Sequence, residues 1–82
     1  MDKRPYTTKA GLQQFKPVCG MEEYHVLRDD MTGFCLACGN EQEGVEPDGR
    51  KYKCEVCHAP KVYGLEELSI MGLLVITDLE EA

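Results

Sequence analysis

Four of the chain's five cysteines stand in two pairs, Cys35-Leu36-Ala37-Cys38 and Cys54-Glu55-Val56-Cys57, with fifteen residues between the pairs. Thiols so spaced serve as a redox couple, as a disulfide framework or as the corners of a metal site. The spacing favours a metal. A Cys-x-x-Cys turn sets two thiolates on one corner, and a hairpin between two such turns closes four sulfurs around a tetrahedral ion. Backbone N–H groups in these turns can point at sulfur and disperse its negative charge. Gly39, directly after Cys38, suits the positive φ that such a loop often needs, and His58 holds the same place after Cys57. The expected ligands are Cys35, Cys38, Cys54 and Cys57, and the expected cofactor is one Zn²⁺. Four protein ligands leave no open position for water or substrate, so the ion is expected to be structural and the protein no enzyme.

The segments around the pairs must position them. Glu46-Pro47-Asp48-Gly49 has the residues of a type I turn. Behind it, Arg50-Lys51-Tyr52-Lys53-Cys54 alternates like a strand, with Lys51 and Lys53 on one face and Tyr52 and Cys54 on the metal side. The stretch around Val45 is its expected antiparallel partner. After the second pair, Gly64 to Met71 predicts a short helix. Glu66 and Glu67 fall in its first turn, and Leu65, Leu68 and Met71 form an apolar stripe. Gly72 would stop it. Leu73 to Ile76 fits either a last strand or more helix, and either core or a contact surface. Upstream, Glu22 to Leu27 reads as a short strand ended by Asp29-Asp30. Residues 1–18 show no sustained period and read as an extended N-terminal arm, mobile unless Tyr6, Leu12 or Phe15 docks. The expected architecture is a small α+β metal-stapled domain over residues 19–76, a β-hairpin with two knuckles followed by a helix, with an acidic tail at 77–82.

With 82 residues, there is material for one domain, and a chain this short gains much from a metal staple. Leu73 to Ile76 is far too short to span a bilayer, and the charged start has no apolar segment behind it. A cytoplasmic setting is expected, where thiols stay reduced. Charge is uneven: residues 1–18 carry a net +3, residues 19–63 carry −4 and residues 64–82 carry −5. Four thiolates and one Zn²⁺ take the formal −6 to about −8. Such a chain repels a phosphate backbone unless its bases gather on one face.

The strings CLACGN and CEVCHAP resemble the two knuckles of a zinc ribbon. The longer string TGFCLACGNEQEGVEPDGRKYKCEVCHAPKVYGLEELSIMG, residues 32–72, is similar to small zinc-ribbon proteins encoded by bacteriophages and prophages. This resemblance implies a fold and a metal rather than an activity. Rubredoxin-like iron is a rival with the same ligands, but the second pair lacks that family's usual Pro and Gly, and the segment between the pairs is much shorter. Cys19 reads as a small buried residue, with a reactive thiol or an alternative ligand as the other options. His25 reads as a strand surface residue. His58 reads as part of the knuckle rather than a ligand.

The leading functional expectation is a non-catalytic interaction module that docks on, or inhibits, a larger host protein with a basic surface. The second is nucleic-acid binding through Arg50, Lys51, Lys53 and Lys61, helped by Lys3, Arg4, Lys9 and Lys16. Neither a membrane nor a small-molecule substrate is expected.

Overall fold

A computed structural model describes residues 1–79 of the chain. Strands β1 (Asp2–Thr7) and β2 (Gln13–Cys19) lead into helix α1 (Met21–Asp29), then β3 (Thr32–Cys35) and β4 (Glu41–Glu43). Next come β5 (Val62–Gly64), helix α2 (Leu65–Ile70), β6 (Val75–Ile76) and a 3-10 turn at Thr77–Leu79. The strands form two three-stranded sheets, ordered β1-β2-β6 and β4-β3-β5. This is a small α+β fold.

Strand β3 sits at the centre. It is buried on both faces, and its alternation divides the interior in two. Phe34 points into an apolar cluster with Leu36, Tyr63, Leu65 and Leu68. Cys35 points the other way, into a second cluster with Val45, Cys54 and Val62. Strand β5 repeats the division: Tyr63, opposite Phe34, joins the first cluster, and Val62, opposite Cys35, joins the second. A side chain at Gly33 would run into Val45, so the two segments close only over glycine.

Helix α2 forms as expected. Leu65 and Leu68 are fully buried, which stabilises by about 2 kcal/mol for each side chain. Its end is a Schellman motif: Gly72 has φ +76°, its N–H donates to Ser69 O, and the Leu73 N–H donates to Leu68 O. Met71 lies past the buried stripe and is exposed. The 46–49 turn is also as expected, with Gly49 N–H donating to Glu46 O at 2.8 Å. It docks on the start of α2, where Glu67 N–H donates to Pro47 O and Gly64 N–H to Gly49 O.

Three expectations are corrected, and one that the sequence leaves open is decided. Glu22 to Leu27 is not a strand but most of α1, so His25 is an exposed helix residue. Six residues satisfy a period of 2 as easily as one of 3.6. What decides is that Tyr24 and Leu27, three apart, both pack on the apolar cluster. Residues 1–18 are extended but paired: β1 and β2 form an antiparallel hairpin from Asp2↔Val18 to Thr7↔Gln13. Phe15 packs on the apolar cluster, and its N–H donates to Leu36 O at 2.8 Å. Of Leu73 to Ile76, Leu73 and Leu74 pack against the core outside any strand, and Val75–Ile76 is strand, paired in parallel with Val18–Cys19. The expected hairpin of Val45 against residues 50–54 is absent. Lys51 has φ +56°, which breaks the alternation, and Tyr52 bridges to Val62 instead.

Of the acidic tail, Asp78 caps α1 by accepting the Met21 N–H at 3.3 Å, while Glu80 and Glu81 lie outside the described residues. No helix among the described residues is long and apolar enough to cross a membrane.

Candidate metal centre

Each cysteine pair turns at the tip of its own hairpin. The first knuckle joins β3 to β4, which pair from Thr32↔Glu43 to Phe34↔Glu41. The second joins Tyr52 to Val62, whose N–H and C=O groups bond reciprocally at 2.9 and 3.0 Å. Pairing of β5 with β3 then sets the two hairpins side by side.

The knuckles match residue for residue. Cys35 N–H donates to Asn40 O and Cys54 N–H to Ala59 O, both at 2.9 Å. Gly39 N–H donates to Cys35 O at 2.8 Å, and His58 N–H to Cys54 O at 3.0 Å. Gly39 has φ +81° and His58 φ +65°, as the sequence leads one to expect. In the second knuckle the Val56 and Cys57 N–H groups point at the Cys54 sulfur, at 3.3 and 3.4 Å. In the first, the N–H groups of Cys38 and Ala37 face the Cys35 sulfur, and that of Asn40 faces Cys38.

All four sulfurs lie within 4.8 Å of one another. Cys35 Sγ and Cys57 Sγ are 3.6 Å apart, as are Cys38 Sγ and Cys54 Sγ. A tetrahedron with metal–sulfur bonds of about 2.3 Å has edges of about 3.8 Å, so the donor set fits one four-coordinate ion with little movement. The four thiols are free rather than bonded to each other.

Proton affinities divide the set. Burial pushes the Cys35 thiol up to about 12, against the pull of the Cys38 and Ala37 N–H groups. Burial also raises Cys38. Burial would raise Cys54 too, but the Cys57 and Val56 N–H groups and the neighbouring thiols bring it down to about 6. Of these three thiols Cys54 gives up its proton most readily, and a metal binding to the set would displace the protons that thiols still hold.

Cys19 lies apart. It is buried at 3% exposure in β2 and belongs to no metal-capable group among the described residues. His58 stands in the knuckle as a loop residue, exposed, and outside the four-sulfur group. Arg50, one of the bases named for nucleic-acid binding, lies 3.7 Å from Glu67 on α2.

Two residues at the site carried no signal in the sequence. Gln42, on β4, reaches across to the second hairpin: its Nε2 donates to Lys53 O at 3.2 Å, and its Oε1 accepts the Glu55 N–H at 3.0 Å. Lys3, on β1, lies over the first knuckle with its Nζ 3.4 Å from Cys38 O and 4.9 Å from the centre of the Phe15 ring. Only the pairing of β1 with β2, which the sequence left unread, brings Lys3 there. Comparison with protein families, curated proteins and solved structures finds nothing that matches this chain, so the functional reading rests on the four-sulfur group and the surface around it.

Proposed function

We propose that the chain is a zinc ribbon of the kind encoded by phages and prophages, holding one structural Zn²⁺ on Cys35, Cys38, Cys54 and Cys57. Each knuckle of this ribbon closes its own hairpin. The observation that carries the reading is the convergence of four sulfurs within 4.8 Å, at the tips of two matching loops whose N–H groups point at sulfur. Four thiolates complete the coordination of zinc, so the ion staples the two hairpins and leaves catalysis to no one.

Its work is then done by its surface: a cytoplasmic interaction module that docks on, or inhibits, a larger protein. Net charge supports a partner with a basic face. With zinc bound the chain carries about −8, which steers basic protein surfaces toward it and phosphate backbones away. Metal analysis and X-ray absorption of the purified protein test the first half, with one zinc per chain and four sulfur neighbours expected. Stoichiometric iron with a visible thiolate-to-iron band would replace zinc by a rubredoxin-like centre. Capture from host lysate tests the second half, with a bound protein that is released as salt rises. Tight, salt-sensitive binding of duplex DNA that is lost in Lys51→Ala/Lys53→Ala would overturn it in favour of a nucleic-acid reader.

A further inference from the structure

Gln42 is the middle residue of β4, and its place in the sheet decides where its side chain goes. It pairs with Gly33 on β3, so the two share a face. Alternation puts Cys35, two residues along β3, on that face as well. Gln42 is therefore half-buried on the metal side, while its neighbours Glu41 and Glu43 are exposed.

From there it meets the second hairpin on either side of a candidate ligand. The arm that carries Cys54 offers its backbone groups to two sides in turn, as an extended segment does. Tyr52 bonds with Val62, and Cys54 with Ala59 O and the His58 N–H, all within the same hairpin. The Lys53 carbonyl and the Glu55 N–H face the other way and meet Gln42. Its Nε2 donates to Lys53 O at 3.2 Å, and its Oε1 accepts the Glu55 N–H at 3.0 Å. The sheet runs β4-β3-β5, and the arm at Tyr52 is bridged to β5. Gln42 thus links one edge of a curled sheet to the arm beyond its other edge, where a strand neighbour would otherwise pair. A carboxamide suits this place because it carries one acceptor and one donor on a single planar group. A glutamate of the same length would offer acceptors only.

We infer that Gln42 is a positioning residue of the metal centre. It braces the arm of the second hairpin on both sides of Cys54 and so holds that sulfur toward the first knuckle. Pairing of β5 with β3 fixes the return arm of the same hairpin, and Gln42 fixes the arm with the ligand. Lys53 and Glu55 are exposed, so water can satisfy their backbone groups if the amide is lost. Water cannot tie the two edges together. Loss of Gln42 should therefore appear in the metal's geometry more than in general stability. This assignment rests on the metal half of the proposed function and says what holds its donor set.

The test loads the full chain with Zn²⁺ and, separately, with Co²⁺, whose visible bands report ligand geometry. Gln42→Met keeps the length of the side chain and makes neither hydrogen bond. Its zinc affinity, read by competition with a chelator, should fall about tenfold. Its Co²⁺ bands should shift, and the Glu55 amide should lose protection from exchange. Gln42→Asn, polar but one carbon shorter, should show the same changes. Gly72→Ala is the control for general stability, since it strains a residue at φ +76° with open space around it. Its Co²⁺ bands and its Glu55 amide should match those of wild type. Unchanged zinc affinity or unchanged bands in Gln42→Met, or a band shift that Gly72→Ala shares, overturns the proposal and leaves the zinc reading standing. Uptake of neither ion by the wild type sinks that reading and the brace with it.

Discussion

Around β3 the chain is fixed by short-range chemistry. Two loops of a few residues each fold back on their own N–H groups, and four sulfurs converge from hairpins whose partners are close in sequence. Around β2 only the turn at Thr8–Leu12, which closes the β1–β2 hairpin, is local. That strand gathers β1 on one side and β6, from the far end of the chain, on the other, and it meets the metal half through Phe15 and the Leu36 carbonyl. One half is held by donors arranged for an ion, the other by apolar contact across long sequence separations. They share the cluster of Phe34, Leu36, Tyr63, Leu65 and Leu68, so neither half has a complete core of its own.

Removing the metal is the harshest way to break this comparison. Structural zinc binding is worth on the order of 10 kcal/mol, more than a domain of this size has to spare. Chelation, or Cys54→Ser, should abolish zinc binding and unfold both halves in one transition, because Phe34 and Cys35 are neighbours on a single strand. Amide exchange reads the outcome. Lasting protection of residues 13–19 in metal-free protein would show that the β1-β2-β6 sheet stands without the metal.

Gly64→Ala should come next, at about 3 kcal/mol or more. Its added Cβ would meet Glu46 O and Pro47 O, backbone atoms that cannot swing aside. The consequence is separation of the 46–49 turn from α2, and with it the seat of Val45 in the metal-side cluster. Gly72→Ala is the control. That residue has φ +76° but open space around it, so only backbone strain of about 1 kcal/mol applies. Thermal melts of the two zinc-loaded variants should therefore differ clearly, and equal melting points would mean that the turn does not lie on α2 as described.

Phe15→Ala probes the seam itself. The ring is half-buried, so a loss of about 2 to 3 kcal/mol is expected, below that of a fully buried phenylalanine. Zinc stoichiometry should stay at one per chain, while amide protection falls first across residues 2–19. If only the melting point falls, with protection of β1 and β2 unchanged, the hairpin is held by its own pairing rather than by the core.

The same division explains what was readable in advance. Cys-x-x-Cys, the glycine after Cys38 and the proline-glycine turn are local signals whose physics is complete within a few residues, and each was met in the fold. Of the Leu65, Leu68 and Met71 stripe, the two leucines are buried and Met71 is exposed. The hairpin of residues 1–18 carries no such signal. Pro5 and Pro17 obscure its alternation, and the β6 strand and first knuckle that it packs with come from distant segments. In α1 the six residues from Glu22 to Leu27 were too few to separate a period of 2 from 3.6, and the core that selects Tyr24 and Leu27 is built by distant segments. The pairing around the metal was misread for a related reason. The sequence shows which cysteines cluster, but not that β5 rather than the 50–54 segment flanks β3.

The finest test of the two halves sets the fifth cysteine against the other four. Cys19 sits in β2, where its thiol is buried without a metal, and burial chiefly, then the charge of Glu23, pushes it above an ordinary thiol's 9.0. In the folded protein it therefore holds its proton to higher pH than in the unfolded chain. Its contribution is whole below 9.0 and is lost as pH rises from there toward the folded value. Cys19→Ala should cost about 1 kcal/mol or less at neutral pH, keep one zinc per chain, and lose stability less steeply than wild type on the alkaline side. The gap between the two proteins, measured by denaturant titration in reductant, should stay level from about pH 6 to 8 and narrow above about 9. Loss of zinc in this variant would move Cys19 into the metal half, and a gap that widens with pH would mean its thiol is not buried as β2 places it.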